Sequence, residues 1–253
     1  MQIIPYGNHA SQFGELRMPK HTQPCPVVVT IHGGFWQSQY DLTENHPICE
    51  DLSNRGFATW NIEYRRVGEA GGGFPGTFND VIAAVNTLSE LKESYSLNLS
   101  NVIIMGHSAG GHLALWLASR LGTFREAECF TALHIPIRKI ISLAGVTDVE
   151  KMWDIHHRQG LDSVVAHFLG GSPEEQAERY KISSPIELLP RGVEQVLIHG
   201  ALDRHVPVQL SEDYYKKLKE SNGNVSLHVF EEAEHFQVID PTSHVWETVI
   251  RSL

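Results

Sequence analysis

NVIIMGHSAGGHLALWLASRL, residues 101–121, changes character between His107 and Ala109. Up to His107 the run is continuously apolar and rich in β-branched residues, the pattern of a strand buried on both faces. From Ala109 onward it reads as a helix. The joint between them, GHSAG (106–110), fits G-x-S-x-G. That motif needs a strand before it and a helix after it, because the chain must turn sharply to lift the serine hydroxyl above the sheet edge. Both neighbours are present. Gly106 and Gly110 leave room for the backbone, and Gly111 extends the clearance into the first helical turn. Ser108 is therefore the candidate nucleophile, at a helix start where unpaired N–H groups and the dipole favour negative charge.

Outward from this joint, apolar runs alternate with helix-like stretches. PVVVTIH (26–32), FATWNIEY (57–64), IRKIISLAG (137–145), VEQVLIHG (193–200) and VSLHVFE (225–231) read as further strands. Helices are expected at 42–56, 76–95, 210–223 and 241–253, the first ended by Gly56. Such alternation implies right-handed crossovers and a mostly parallel sheet with helices on both faces. Residues 1–25 are expected to form an edge strand or hairpin. Residues 149–190 show no clear pattern and are too long for an ordinary connection, which marks them as a cap or lid insertion or a helical decoration. At 253 residues, one domain spanning 1–253 is expected.

The strand at 26–32 runs into HGGFW (32–36). Acyl chemistry needs two backbone N–H groups aimed at the oxygen that becomes negative as a carbonyl turns tetrahedral. Ala109, after the candidate nucleophile, supplies one. Gly34 is expected to supply the other, with Gly33 and Phe35 as alternatives. His32 reads as a brace for this turn. Phe35, Trp36 and Phe74 are candidates for a substrate pocket, with packing against the core as the competing reading for the aromatic pair.

LIHGALDRHVP (197–207) ends a strand and delivers Asp203 into the loop beyond it, and FEEAEHF (230–236) places His235 just past the last strand. The order Ser108, Asp203, His235 suits the strand–turn–helix nucleophile, and strand C-terminal ends converge on one face of such a sheet. Asp148 is the competing acid. His107 and His112 read as packing or hydrogen-bonding residues. His156 and His157 are adjacent, so on a helix they diverge and make a poor metal pair. There is no H-E-x-x-H, and no metal or cofactor is expected.

Composition limits the partners. Twenty Lys and Arg stand against 30 Asp and Glu, a formal net charge of -10. That field argues against nucleic acid and against anionic membranes. Cys25, Cys49 and Cys129 form no short-spaced pair, which suits a reducing compartment. The opening MQIIPYGNHA does not read as a secretory signal, and no run approaches the ~20 apolar residues of a membrane span. A cytoplasmic location is expected, and a homodimer is left open.

With these pieces placed, the sequence resembles the α/β-hydrolase superfamily over almost its whole length. HGGFW is similar to the turn of kynurenine formamidases and related to that of hormone-sensitive-lipase-like esterases. EYRR (63–66), FPGTFNDVIAAV (74–85) and HGALDRHVP also look like that branch. At GVTDVEKM the chain departs from formamidases, which carry Tyr-Asp followed by Arg-Pro there. The resemblance implies an α/β-hydrolase fold, Ser108 as nucleophile with Asp203 and His235 as partners, and Gly34 with Ala109 as oxyanion donors. It implies cleavage of a carboxylic ester or small amide, and the HGGFW turn with Phe74 suggests an apolar or aromatic acyl or amine group. Kynurenine formamidase proper and a small peptidase are the alternatives within enzymes. A catalytically silent binding protein on the same fold is the rival from another class; such proteins usually lose the nucleophile or the histidine, and here both are kept.

Overall fold

The computed structural model describes residues 1–20, 24–121 and 129–253. Its centre is an eight-stranded sheet: β1 (Gln2–Pro5), β2 (Phe13–Arg17), β3 (Cys25–Ile31), β4 (Ala58–Ile62), β5 (Leu97–His107), β6 (Lys139–Leu143), β7 (Glu194–Gly200) and β8 (Val225–Phe230). The spatial order is β1-β2-β4-β3-β5-β6-β7-β8. β1 and β2 form the expected N-terminal hairpin, and β2 runs antiparallel to β4. From β4 to β8 every pairing is parallel. The central strands are buried on both faces, which is why they read as unbroken apolar runs. This is the mostly parallel sheet that the alternation of elements implied, in the α/β-hydrolase arrangement that the resemblance implied.

The helices follow the chain as α1 (His46–Asn54), α2 (Gly76–Asn86), α3 (Leu88–Leu91), α4 (Ala109–Ala118), α5 (Val149–Arg158), α6 (Val164–Leu169), α7 (Ala177–Ser183), α8 (Pro185–Leu188), α9 (Gln209–Glu220) and α10 (Trp246–Arg251). Several differ from expectation for local reasons. The helix expected at 42–56 opens with a 3-10 turn at Leu42–Asn45, capped by Asp41, before Pro47 starts the α-helix. The one expected at 76–95 divides at Thr87, whose hydroxyl donates back to the Ala83 carbonyl at 2.9 Å. The closing helix is shorter than 241–253, because Asp240 holds the chain in a turn through Thr242. The strand into Ser108 begins at Leu97, before the apolar run itself.

Every residue of α4 is buried. On its side of the sheet an aromatic layer of Trp36, Phe78, Trp116 and Phe168 fills the core, with Trp36 stacked on Phe168 at 4.5 Å. The other face is covered by α1 and α10, through Ile48, Leu52, Trp246 and Val249. Residues 149–190 are not a loop: α5 to α8 fold there and join the same core through Val149, Met152, Phe168 and Tyr180. Among the described residues no helix is long and apolar enough to cross a membrane.

Candidate active site

Ser108 stands between the end of β5 and the start of α4 with φ 53° and ψ -117°. An L-residue adopts such a conformation only when its surroundings enforce it. Here Ser108 N–H donates to Leu143 of β6 at 2.9 Å, and its carbonyl accepts from His112 at 3.0 Å. The motif glycines are explained by contact: a Cβ on Gly110 would lie 2.1 Å from the Ile31 carbonyl oxygen at the end of β3. The helix must pass that close for the serine to sit where it does. Ser108 is 2% exposed.

Asp203 and His235 meet beyond the ends of β7 and β8, with His235 Nδ1 2.5 Å from Asp203 Oδ2. Asp203 Oδ1 accepts from the N–H groups of His205 (2.8 Å) and Val206 (2.9 Å), so the loop after β7 wraps its own carboxylate. His199 approaches Oδ2 at 3.2 Å through Nε2 and is itself fixed by Ser211 and the Val206 carbonyl. Burial would raise the Asp203 carboxyl, but hydrogen bonds from His199 and His235 hold it well below the usual range. Burial, helped by the neighbouring His107 and His205 rings, takes His235 down to about 4 against the pull of Asp203. Among the described residues, His235 Nε2 has no hydrogen-bond partner, and no hydrogen bond joins it to Ser108. Asp148, the competing acid, instead caps α5 by accepting from Lys151 N–H at 2.9 Å and lines a separate, acid-rich hollow of about 480 Å³.

The turn after β3 touches the serine: a Cβ on Gly33 would lie 3.1 Å from Ser108 Cβ. His32 braces it as expected, with Nδ1 2.8 Å from the Gly33 carbonyl and Nε2 2.8 Å from Glu63 Oε1, its ring stacked on Tyr64. Gly33 N–H is spent on Glu44 Oε1 at 3.0 Å. In a trans peptide the N–H points opposite to the carbonyl. Tethering the Gly33 carbonyl to His32 therefore turns the Gly34 N–H the other way. The N–H groups of Gly34, Phe35 and Ala109 have no partner among the described residues.

A cavity of about 320 Å³ opens beside this turn, lined by Phe35, Met152, Ile155, His156, Leu161 and His205 among others. It brings Phe35 and the neighbour of Asp203 under helix α5. Of the other two pocket candidates, Trp36 is fully buried in the aromatic core, and Phe74, half-buried, packs on Phe78 and Phe130. His156 faces the cavity while His157 stacks on Trp153, divergent as adjacent helical residues must be. His112 is a buried packing residue that burial takes down to about 4, with Nε2 2.8 Å from the Ser183 carbonyl. Sequence reasoning missed Glu44 and His199: Glu44 acts on Gly33 and on His107, 63 positions away, and no motif marks His199, four residues before its partner Asp203.

The BD-FAE family matches residues 15–218. The probable isoprenylcysteine alpha-carbonyl methylesterase ICME of Oryza sativa subsp. japonica is 26% identical over 94% of the chain, which spans 58% of that protein. The kynurenine formamidase of Danio rerio is 23% identical over 94% of the chain and 75% of its own length. Among solved structures, Esterase B from Lactobacillus rhamnosis superposes with a TM-score of 0.84 at 20% identity, covering 99% of this chain and 82% of that one. A matched family over most of the sequence, the sheet order and the strained serine turn agree: the chain belongs to the BD-FAE family of α/β-hydrolases.

Proposed function

We propose that this chain is a serine esterase that cleaves small carboxylic esters through an acyl-enzyme on Ser108. His235 Nε2 takes the Ser108 proton as Oγ bonds to the ester carbonyl carbon. Asp203 keeps the remaining proton on Nδ1 and stabilises the imidazolium that forms. The carbonyl oxygen, now negative, accepts from Ala109 N–H and from Gly34 or Phe35 N–H. Collapse of this intermediate breaks the bond to the alcohol oxygen, which leaves with the proton from His235. Water then repeats the sequence: it gives a proton to His235, attacks the acyl carbon, and releases the acid as Ser108 regains its hydrogen.

The observation that carries the reading is the 2.5 Å Asp203–His235 pair on the same sheet edge as the strained Ser108. The apolar wall of the cavity favours a substrate with an alkyl or aryl group. Turnover of p-nitrophenyl acetate and butyrate, measured beside N-formylkynurenine, tests it. Ester hydrolysis is expected, and Ser108→Ala is expected to lower it by at least ~10⁴-fold. Undiminished hydrolysis by Ser108→Ala overturns the assignment. Formamide cleavage would use the same steps with an amine leaving group; faster turnover of N-formylkynurenine than of either ester would move the substrate class there.

A further inference from the structure

His107 precedes Ser108 in the chain, and the steps above give it no part. Its side chain is 1% exposed, yet both ring nitrogens are engaged. Nδ1 lies 2.7 Å from Glu44 Oε1, and Nε2 lies 3.1 Å from the backbone carbonyl oxygen of His235. A carboxylate oxygen and a carbonyl oxygen both only accept. A neutral imidazole carries one N–H, so one of these contacts would set a bare nitrogen lone pair against an oxygen. The ring that satisfies both carries two protons.

We propose that His107 works as an imidazolium paired with Glu44, and that this ion pair is a positioning device joining the oxyanion turn, the nucleophile turn and the base loop while keeping His235 unprotonated. The joining is direct. Glu44 Oε1 accepts from both Gly33 N–H and His107, and His107 donates on to the backbone of His235. The two rings lie 4.5 Å apart between centroids. A fixed cation there opposes the addition of a proton to His235, so the base stays available at lower pH. Other groups share this field. His205, 4.9 Å from the His235 ring, and Asp203 come from the loop after β7. Phe236 covers the His107 ring, and His32 with Glu63 stands behind Gly33. Burial alone would raise the Glu44 carboxyl, but His107 and the Gly33 N–H bring it down to about 2, as an acceptor for a cation should be.

The effect on His235 rests on the esterase reading; the protonation of His107 does not. A nitrogen–proton NMR correlation spectrum of histidine-labelled protein near neutral pH reads it directly, in the wild type and in the inactive Ser108→Ala protein alike. His107 is expected to show two protonated nitrogens, and Glu44→Gln, which removes the carboxylate charge that holds the second proton and offers an amide N–H in its place, is expected to lose one of them. One protonated and one bare nitrogen in the wild type would overturn the proposal. Turnover supplies the second arm. His107→Asn is expected to move the acid limb of the kcat/KM profile upward by about one pH unit, the usual size for loss of a nearby charge. An unmoved limb would contradict the role of the cation in keeping His235 unprotonated. Absence of ester turnover in the wild type would refute the esterase reading while leaving the spectrum to judge His107.

Discussion

At Ser108 the backbone holds a conformation that costs an L-residue of order 1–3 kcal/mol, sustained by the bonds to β6 and α4 on either side. Ser108→Ala deletes only Oγ and leaves those bonds, so its thermal midpoint should stay near that of the wild type while turnover is lost. Asp203→Asn should retain the fold and lower kcat by about 10⁴-fold, because an amide no longer fixes the tautomer that lets Nε2 accept a proton. His235, held down at about 4 by burial, gives a sign for pH. The kcat/KM profile should be flat across neutral pH and fall as pH drops through about 4. The same depression is a linkage: between the ordinary histidine value of about 6.5 and the folded value, the unfolded chain binds a proton that the folded one refuses. Stability should therefore decline as pH falls through that window, which acid titration of the unfolding midpoint measures. As candidates, Ser108, Asp203 and His235 were legible because each follows a strand end with its own local signal. Glu44 was not, since it reaches His107 from 63 positions away.

Among the elements, the segment 149–190 shows most clearly what pattern reading misses. Its helices are short, and the start signals are single capping residues, Asp148 for α5 and Ser163 for α6. Those caps were present in the sequence, but without a long apolar period they did not stand out. The segment supplies the cavity wall, so substrate selectivity should be altered there without touching the reacting groups. Ile155→Trp, on the half-buried face of α5, should narrow the cavity. We expect its kcat/KM for p-nitrophenyl butyrate to fall relative to acetate by about tenfold, in the range that a methylene or two is worth in an apolar pocket. Equal losses on both esters would show that this cavity does not hold the acyl chain. The central strands β3, β4 and β6, by contrast, were read with small errors at their ends, because burial on both faces leaves continuous apolar runs that little else mimics.

For the whole molecule, the EYRR and FPGTFNDVIAAV motifs that carried the resemblance are largely struts. Glu63 receives His32 and the N–H of Leu42, and Arg66 pairs with Glu63 and Glu69. Arg65 makes a two-pronged contact with the buried Asp80 of α2, which also accepts from Gln12 before β2. This cluster ties the hairpin, the end of β4 and α2 together. Asp80→Ala leaves a partly buried guanidinium without its carboxylate and should cost about 3 kcal/mol, read as a lower denaturant midpoint at unchanged slope. Sequence alone showed that these motifs resemble a family, not which partner each residue held, because the partners lie on different elements. The same is true of the catalytic account, which joins the ends of three strands. Fluorophosphonate labelling with peptide mapping tests that account most directly. It predicts one adduct, on Ser108, absent in Ser108→Ala and formed far more slowly in His235→Gln. An adduct on another residue, or labelling at an unchanged rate in His235→Gln, would contradict it.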